Sequence, residues 1–163
     1  MIFIVLGTQK FQLNRLLKLI DDYISGDIIK ETVFAQIGNS TYEPENYQYV
    51  RFMSKEEFDA TVKKSDLLIT HSGVGSIITA LKADKAVVVY PRLKKYKEHV
   101  DDHQLDIARA FEKKNYLVCC YENDELSDKL ELARKTTFNK YVSQRENVVE
   151  LILDYIENEQ IEK

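Results

Sequence analysis

Long apolar runs are missing from this chain of 163 residues. Its hydrophobic stretches extend to only about five or six residues, against the roughly twenty that a membrane-crossing helix needs. The amino terminus also lacks the charged-then-apolar layout of a secretory signal, so the chain is expected to stay in the cytosol. Cysteine is scarce. The two present, Cys119 and Cys120, are adjacent, and neighbours in an extended strand point to opposite faces and rarely bridge, so both read as reduced core residues. Charge of one sign is also in short supply. Lys and Arg number 23 against 27 Asp and Glu, a net charge of −4, which gives no broad footprint for nucleic acid or anionic lipid. No repeat, low-complexity tract or linker interrupts the sequence. With 44% hydrophobic and 31% charged residues, residues 1–163 read as one globular domain with a real core.

What is present is an alternation of two periodicities. Met1 to Leu6 is a β-branched, apolar run stopped by Gly7, the pattern of a strand buried on both faces. From Phe11 the spacing changes: Leu13, Leu16, Leu17 and Ile20 share a helical face, with Asn14, Arg15, Asp21 and Asp22 expected outward. Thr32–Ile37 is the next strand, closed by the turn residues Gly38-Asn39-Ser40. Tyr49–Met53 reads as a third strand, and Ser54 with Glu57 reads as a capping box opening a helix to about Lys63. Leu67–Thr70, Ala86–Pro91 and Tyr116–Tyr121 are further strands. Helices are expected after Ser76, from Asp101 or Asp102, over about 124–134, and over about 142–157. This order predicts right-handed crossovers and an α/β, Rossmann-like doubly wound parallel sheet, which binds ligands beyond the carboxyl ends of its strands.

Four strand exits are therefore the places to look. His71-Ser-Gly-Val-Gly-Ser76 sets two glycines and two hydroxyls at a helix start, where free N–H groups and the positive end of the dipole suit a diphosphate. Ser72 or Ser76 capping the helix would leave the same pattern. The third glycine of a dinucleotide fingerprint is replaced by Ile78 and the motif does not follow the first strand, which excludes NAD binding. Gly7-Thr8-Gln9 and Gly38-Asn39 offer small polar exits to the same crevice. Lys97 to Gln104 packs two histidines and three carboxylates around a helix start, with Asp101 or Asp102 as its N-cap. His99 and His103 are four apart, but the segment begins in a loop and lacks the Glu of a His-Glu-x-x-His motif, so no metal is expected. His103 and Gln104 are better suited to a ligand's hydroxyls. Arg92, Lys94, Lys95 and Lys97 read as a solvated basic face, and Tyr90, Tyr96 and Tyr121 as packing residues.

His-Ser-Gly-Val-Gly-Ser, then Val-Val-Val-Tyr-Pro, then Asp-Asp-His-Gln opening a helix, together resemble the carboxyl-terminal, donor-binding half of family 28 glycosyltransferases. That group includes the small subunit of the eukaryotic two-subunit UDP-N-acetylglucosamine transferase. The opening Phe-Ile-Val-Leu-Gly-Thr is similar to bacterial polysaccharide-biosynthesis subunits of the PssE type. The resemblance covers about residues 1–120 and implies half of a GT-B architecture. It implies a UDP-sugar site in which Gly7, Thr8, Ser72, Gly73, Gly75 and Ser76 hold the diphosphate, while Gly38, His71, Thr79, Asp102, His103 and Gln104 face the nucleotide or sugar. Thr79 stands where family members commonly carry a ribose-binding Glu, and Asp84-Lys85-Ala86 replaces their frequent Gly-Lys-Pro.

A transferase of that architecture needs two such halves, and this length accommodates one. The resemblance thus implies a membrane-anchored partner subunit that binds a polyprenyl-diphosphate-linked acceptor and recruits this chain to the inner face of the membrane. It also implies inverting transfer of a hexose in capsular or exopolysaccharide synthesis, without a metal or other cofactor. The general base is expected on the partner, with His71, His99 and His103 in reserve. Helices from about 124, with Val148, Leu151, Ile152 and Tyr155 on one face, are candidates for docking the partner. Without it, an unpaired apolar interface could close into a homodimer. Two other readings stay open: an enhancer that activates a partner transferase without binding donor, and a flavodoxin-like regulatory module. The second has no acidic cluster at the first strand exit.

Overall fold

The structure, a computed structural model, describes residues 1–142. Six parallel strands form one sheet in the order β3-β2-β1-β4-β5-β6. They are β1 (Ile2–Val5), β2 (Val33–Gln36), β3 (Gln48–Val50), β4 (Leu67–Thr70), β5 (Ala86–Val89) and β6 (Val118–Cys119). Five helices connect and cover them: α1 (Asn14–Ser25), α2 (Lys55–Lys64), α3 (Val74–Lys82), α4 (His103–Lys113) and α5 (Leu126–Lys135). The doubly wound expectation is met, with the order reversing between β1 and β4.

The period-2 geometry of the strands divides the core in two. Ile2, Ile4 and Leu6 pack with Leu16, Leu17 and Ile20 of α1 and Leu126 and Leu130 of α5. Phe3 and Val5 pack on the opposite face with Val62, Ile77, Leu81 and Ala108 of the other three helices. Both faces of β1 are therefore apolar, which is why Met1–Leu6 shows no alternation. Cys119 and Cys120 fall in different halves of the core, unbridged. Ser54 and Glu57 form the expected capping box.

The departures have local causes. α1 begins at Asn14, not near Phe11, because its first N–H groups are met from elsewhere: Leu13 N donates to Ser40 Oγ (3.1 Å) and Asn14 N to Gln12 Oε1 (2.7 Å). Asp21 does not face out. It is buried and accepts from the Tyr42 hydroxyl and from the Glu45 and Asn46 amides at 2.7–2.9 Å, pinning the turn before β3. Arg15 also turns inward, gripping the buried Glu98 through Nε and Nη2 at 3.1 and 3.0 Å. The edge strands β3 and β6 are shorter than predicted, since each has a partner on one side only. The helix expected over about 142–157, with Val148, Leu151, Ile152 and Tyr155, lies outside the described residues. No helix among the described residues is long and apolar enough to cross a membrane.

Candidate functional site

The carboxyl ends of β1 and β4 meet at the reversal of strand order, and the loops leaving them are built around one imidazole. His71, directly after β4, is buried and its Nδ1 lies 3.2 Å from the Val5 carbonyl, which also accepts from Thr70 Oγ1 at 3.0 Å. Burial, with the nearby Arg92 charge, pushes its pKa down to about 4, so the ring is neutral near pH 7 and Nδ1 donates to the carbonyl. The ring is wedged between two glycines. A Cβ on Gly73 would stand 2.6 Å from its Nε2, and one on Gly7 2.8 Å from its Cε1. Gly7 also has φ +72°, and a Cβ on Gly38, at φ +56°, would collide with the Gly7 carbonyl at 2.5 Å. Gly7, Gly38 and Gly73 are thus glycines because backbone and ring approach too closely for a side chain.

A second buried group holds the first loop. Arg92 is not part of a solvated basic face: it is completely buried, with Nη2 donating to the Leu6 and Phe11 carbonyls (2.8 and 3.0 Å) and Nε to that of Gln12 (3.2 Å). Burial lowers its pKa to about 10. Its backbone N–H donates to Gln104 Oε1 (3.1 Å), and Ser72 Oγ donates to the Gln104 carbonyl (2.7 Å). One chain of hydrogen bonds therefore joins the loop after β1, the loop after β4, the loop after β5 and the start of α4.

That chain revises several expected roles. The Ser72 hydroxyl and the Gln104 carboxamide oxygen are committed inside the protein, so neither is offered to a ligand. Asp102 precedes α4 but does not cap it with its side chain; its Oδ1 accepts from Lys94 N (2.8 Å) at the start of a 3-10 turn over Lys94–Tyr96. The N–H of His103 is met by Asp101 Oδ1 instead (3.2 Å). Thr79 bonds back to the Gly75 carbonyl (2.9 Å) within α3. Thr8 is exposed, and its carbonyl and that of Gln9 accept from Asn39 Nδ2 (3.3 and 3.0 Å), which ties the Gly38 turn to the Gly7 loop. Tyr90 is buried and Tyr121 half-buried as expected, whereas Tyr96 is exposed and lies on the surface; the hydroxyls of Tyr90, Tyr121 and Tyr96 meet Arg15, Glu112 and Glu122 respectively.

What remains open is the start of α3. Gly73 is its N-cap and no side chain caps it, so the N–H groups of Val74, Gly75 and Ser76 carry the unmatched positive end of the helix. Gly75 is exposed, and a Cβ there would meet nothing within 4 Å. A cleft of about 660 Å³ opens beside this terminus, bounded by Gln9, Lys10, Phe11, His71, Val74, His99, His103 and Ile107 among others. Lys10 and Phe11 carried no motif in the sequence; only their place after the first strand exit could have drawn attention to them. His99 packs against Phe11 with the rings tilted by 45° and their centroids 4.4 Å apart. A slightly larger hollow of about 710 Å³ lies at the other end of the sheet, bounded by Leu67, Leu81, Ala86 and Ala133. Lys85, Arg134 and Lys140 line it, but Glu31, Asp66 and Asp84 stand against them and α3 and α5 end there, presenting carbonyls, which makes it the poorer place for an anion. The cleft at the carboxyl edge combines free N–H donors, Lys10 and rigid walls, and is suited to a phosphate-bearing ligand with a polar head toward His103.

Comparison with known proteins bears on the family and the fold. The profile of the glycosyltransferase family 28 C-terminal domain matches residues 1–156. Human UDP-N-acetylglucosamine transferase subunit ALG13 is 31% identical over 90 residues, 52% of this chain, and the match spans 8% of that protein's length. Among solved structures, the glycotransferase of kitacinnamycin superposes with a TM-score of 0.60 at 18% identity, covering 82% of this chain and 33% of its own. A solution NMR structure of ALG13 superposes with a TM-score of 0.53 at 16% identity, covering 92% and 93% of the two chains. At such identities the structural likeness carries the fold alone.

Proposed function

The chain belongs to the family of glycosyltransferase family 28 C-terminal domains, and from that membership we propose that it is the UDP-sugar-binding subunit of a two-component hexosyltransferase. The observation that carries this reading is the uncapped start of α3 beside the cleft at the reversal of strand order. In this role Val74, Gly75 and Ser76 N–H groups, with Thr8 and Lys10, receive the diphosphate, and His103 faces the hexose. The departing UDP gains stabilisation from those oriented donors as its charge develops. The described residues form one Rossmann-like half of a GT-B architecture, and the human relative is by name a subunit, which supports a partner that binds the acceptor.

The finer reading is an inverting, metal-independent transfer in capsular or exopolysaccharide synthesis. A membrane-anchored partner presents a polyprenyl-diphosphate acceptor at the inner face of the membrane and supplies the base that deprotonates its hydroxyl. A second reading is an enhancer that activates its partner without binding donor. The inward bond of Thr79 favours it, because that position then offers no side chain for the ribose.

Calorimetric titration of UDP and UDP-N-acetylglucosamine with EDTA present separates the two. Gly75→Asp is the decisive variant, because the added side chain enters open space yet places a carboxylate where the diphosphate would sit. Metal-free binding that Gly75→Asp reduces by roughly a hundredfold supports the donor role. Absence of binding with the partner also present would sink it and leave the enhancer.

A further inference from the structure

Opposite the start of α3, the far wall of the cleft carries a group of side chains that the donor reading does not use in full. Among the described residues, His99, Asp101 and His103 form the one set of three metal-ligating side chains, each offering an atom within 4.8 Å of the others. His99 Nδ1 lies 3.2 Å from Asp101 Oδ1, and His103 Nδ1 is in direct contact with the same oxygen. The two imidazoles meet edge to face, ring centroids 4.7 Å apart. Their placement comes from different elements. His99 sits in the loop after the 3-10 turn, its side chain only 7% exposed and packed against Phe11, whereas His103 is the first residue of α4 and half exposed.

We propose that His99, Asp101 and His103 form a binding site for one divalent transition-metal ion of the zinc class. Two imidazoles and a carboxylate make an N₂O set, which suits zinc, cobalt or nickel better than magnesium or calcium. A tetrahedral ion with bonds of about 2.0–2.1 Å holds its ligand atoms about 3.3 Å apart, so the set closes by rotation of the exposed His103 and Asp101 side chains while His99 stays packed. The fourth position then faces the cleft and takes water or an oxygen of a bound ligand. The helical spacing of His99 and His103 does not create the site, since His99 lies outside α4. The intervening turn folds the two rings onto Asp101. This site shares His103 with the hexose side of the proposed donor cleft but not the diphosphate-binding start of α3, and the transfer reaction as proposed does not require a metal there.

The composition keeps the test clean. The chain has three histidines and two cysteines; His71 is wedged inside the protein, and both thiols are buried with pKa values pushed up to about 12. Zinc is titrated calorimetrically into the full chain freed of any histidine tag, and cobalt is followed through its visible ligand-field bands. The expected result is one zinc per chain and cobalt bands of a four- or five-coordinate centre. Binding should weaken by roughly tenfold or more in both Asp101→Asn and His103→Gln, exposed substitutions that leave the core untouched. No binding, or affinity unchanged in both variants, overturns the site and assigns any zinc to scattered surface carboxylates. Because the zinc titration involves no nucleotide, its failure is distinct from failure of the donor role.

Discussion

The two ends of the sheet use the same unusual backbone conformation for opposite purposes. At the amino end, Asp27, Asp84 and Asn115 have φ of 53–58° and follow the last residues of α1, α3 and α4. These are helix stops, made by residue types that tolerate the left-handed region. At the carboxyl end, Gly7, Gly38 and Ser72 have φ of 72°, 56° and 74°, and none ends a helix. They bend the loops so that free N–H groups reach the cleft, and the bend persists because His71, Arg92 and Gln104 hold the loops from beneath. The first kind of turn is local and written in one residue. The second depends on buried polar side chains from distant segments, so the carboxyl edge should be far more sensitive to substitution.

Arg92→Met tests that contrast at its strongest point. The volume is roughly kept, but the Leu6, Phe11 and Gln12 carbonyls lose their donor. With each orphaned acceptor costing about 1–3 kcal/mol, urea denaturation should show a loss on the order of 3–5 kcal/mol. A loss below about 1 kcal/mol would mean that the loop finds other partners, and the two edges would then differ less than their geometry suggests.

Acid should expose the same edge to a smaller degree. The His71 pKa is depressed in the folded protein to about 4 from the ordinary histidine value of 6.5, so the unfolded chain binds the proton more readily. Stability from this residue is present above about pH 6.5 and is lost as pH falls toward 4. Between about pH 7.5 and 5 the loss amounts to about 2 kcal/mol. Unfolding curves at the two pH values measure it, and His71→Gln, though less stable, should show a flatter dependence. An equal dependence in that variant would assign the effect to carboxylates elsewhere.

How far the sequence reached follows the same division. β4, β5 and the capping box of α2 could be read directly because their signals are contiguous: an apolar run stopped by small residues, and a Ser with a Glu three positions on. The glycine loop could also be located, since strand, small residues and helix follow one another. The inward roles of Ser72 and Gln104 could not be read. A polar residue near a strand exit looks the same whether it faces a ligand or a segment 32 positions away. Arg92 sits among lysines, and its burial depends on carbonyls 80 to 86 positions earlier. The position of Asp21 on the helical wheel suggested solvent, yet the turn before β3 folds over it.

At the amino edge the expected changes are the smallest, and Asp84→Asn sets their scale. Asp84 lies just past the carboxyl end of α3 at φ 53° and is exposed, which puts a negative charge at the negative end of the dipole. Asparagine accepts the same backbone conformation and removes the charge. The variant should be more stable by about 0.3–1 kcal/mol at low ionic strength, with the gain shrinking as salt screens the interaction. Urea midpoints at low and high salt measure this, and UDP titration should be unaffected, because the substitution lies at the opposite end of α3 from Gly75. A loss of UDP binding would show that the two edges are coupled through α3 and that the carboxyl-edge loops are not held by their own buried groups alone.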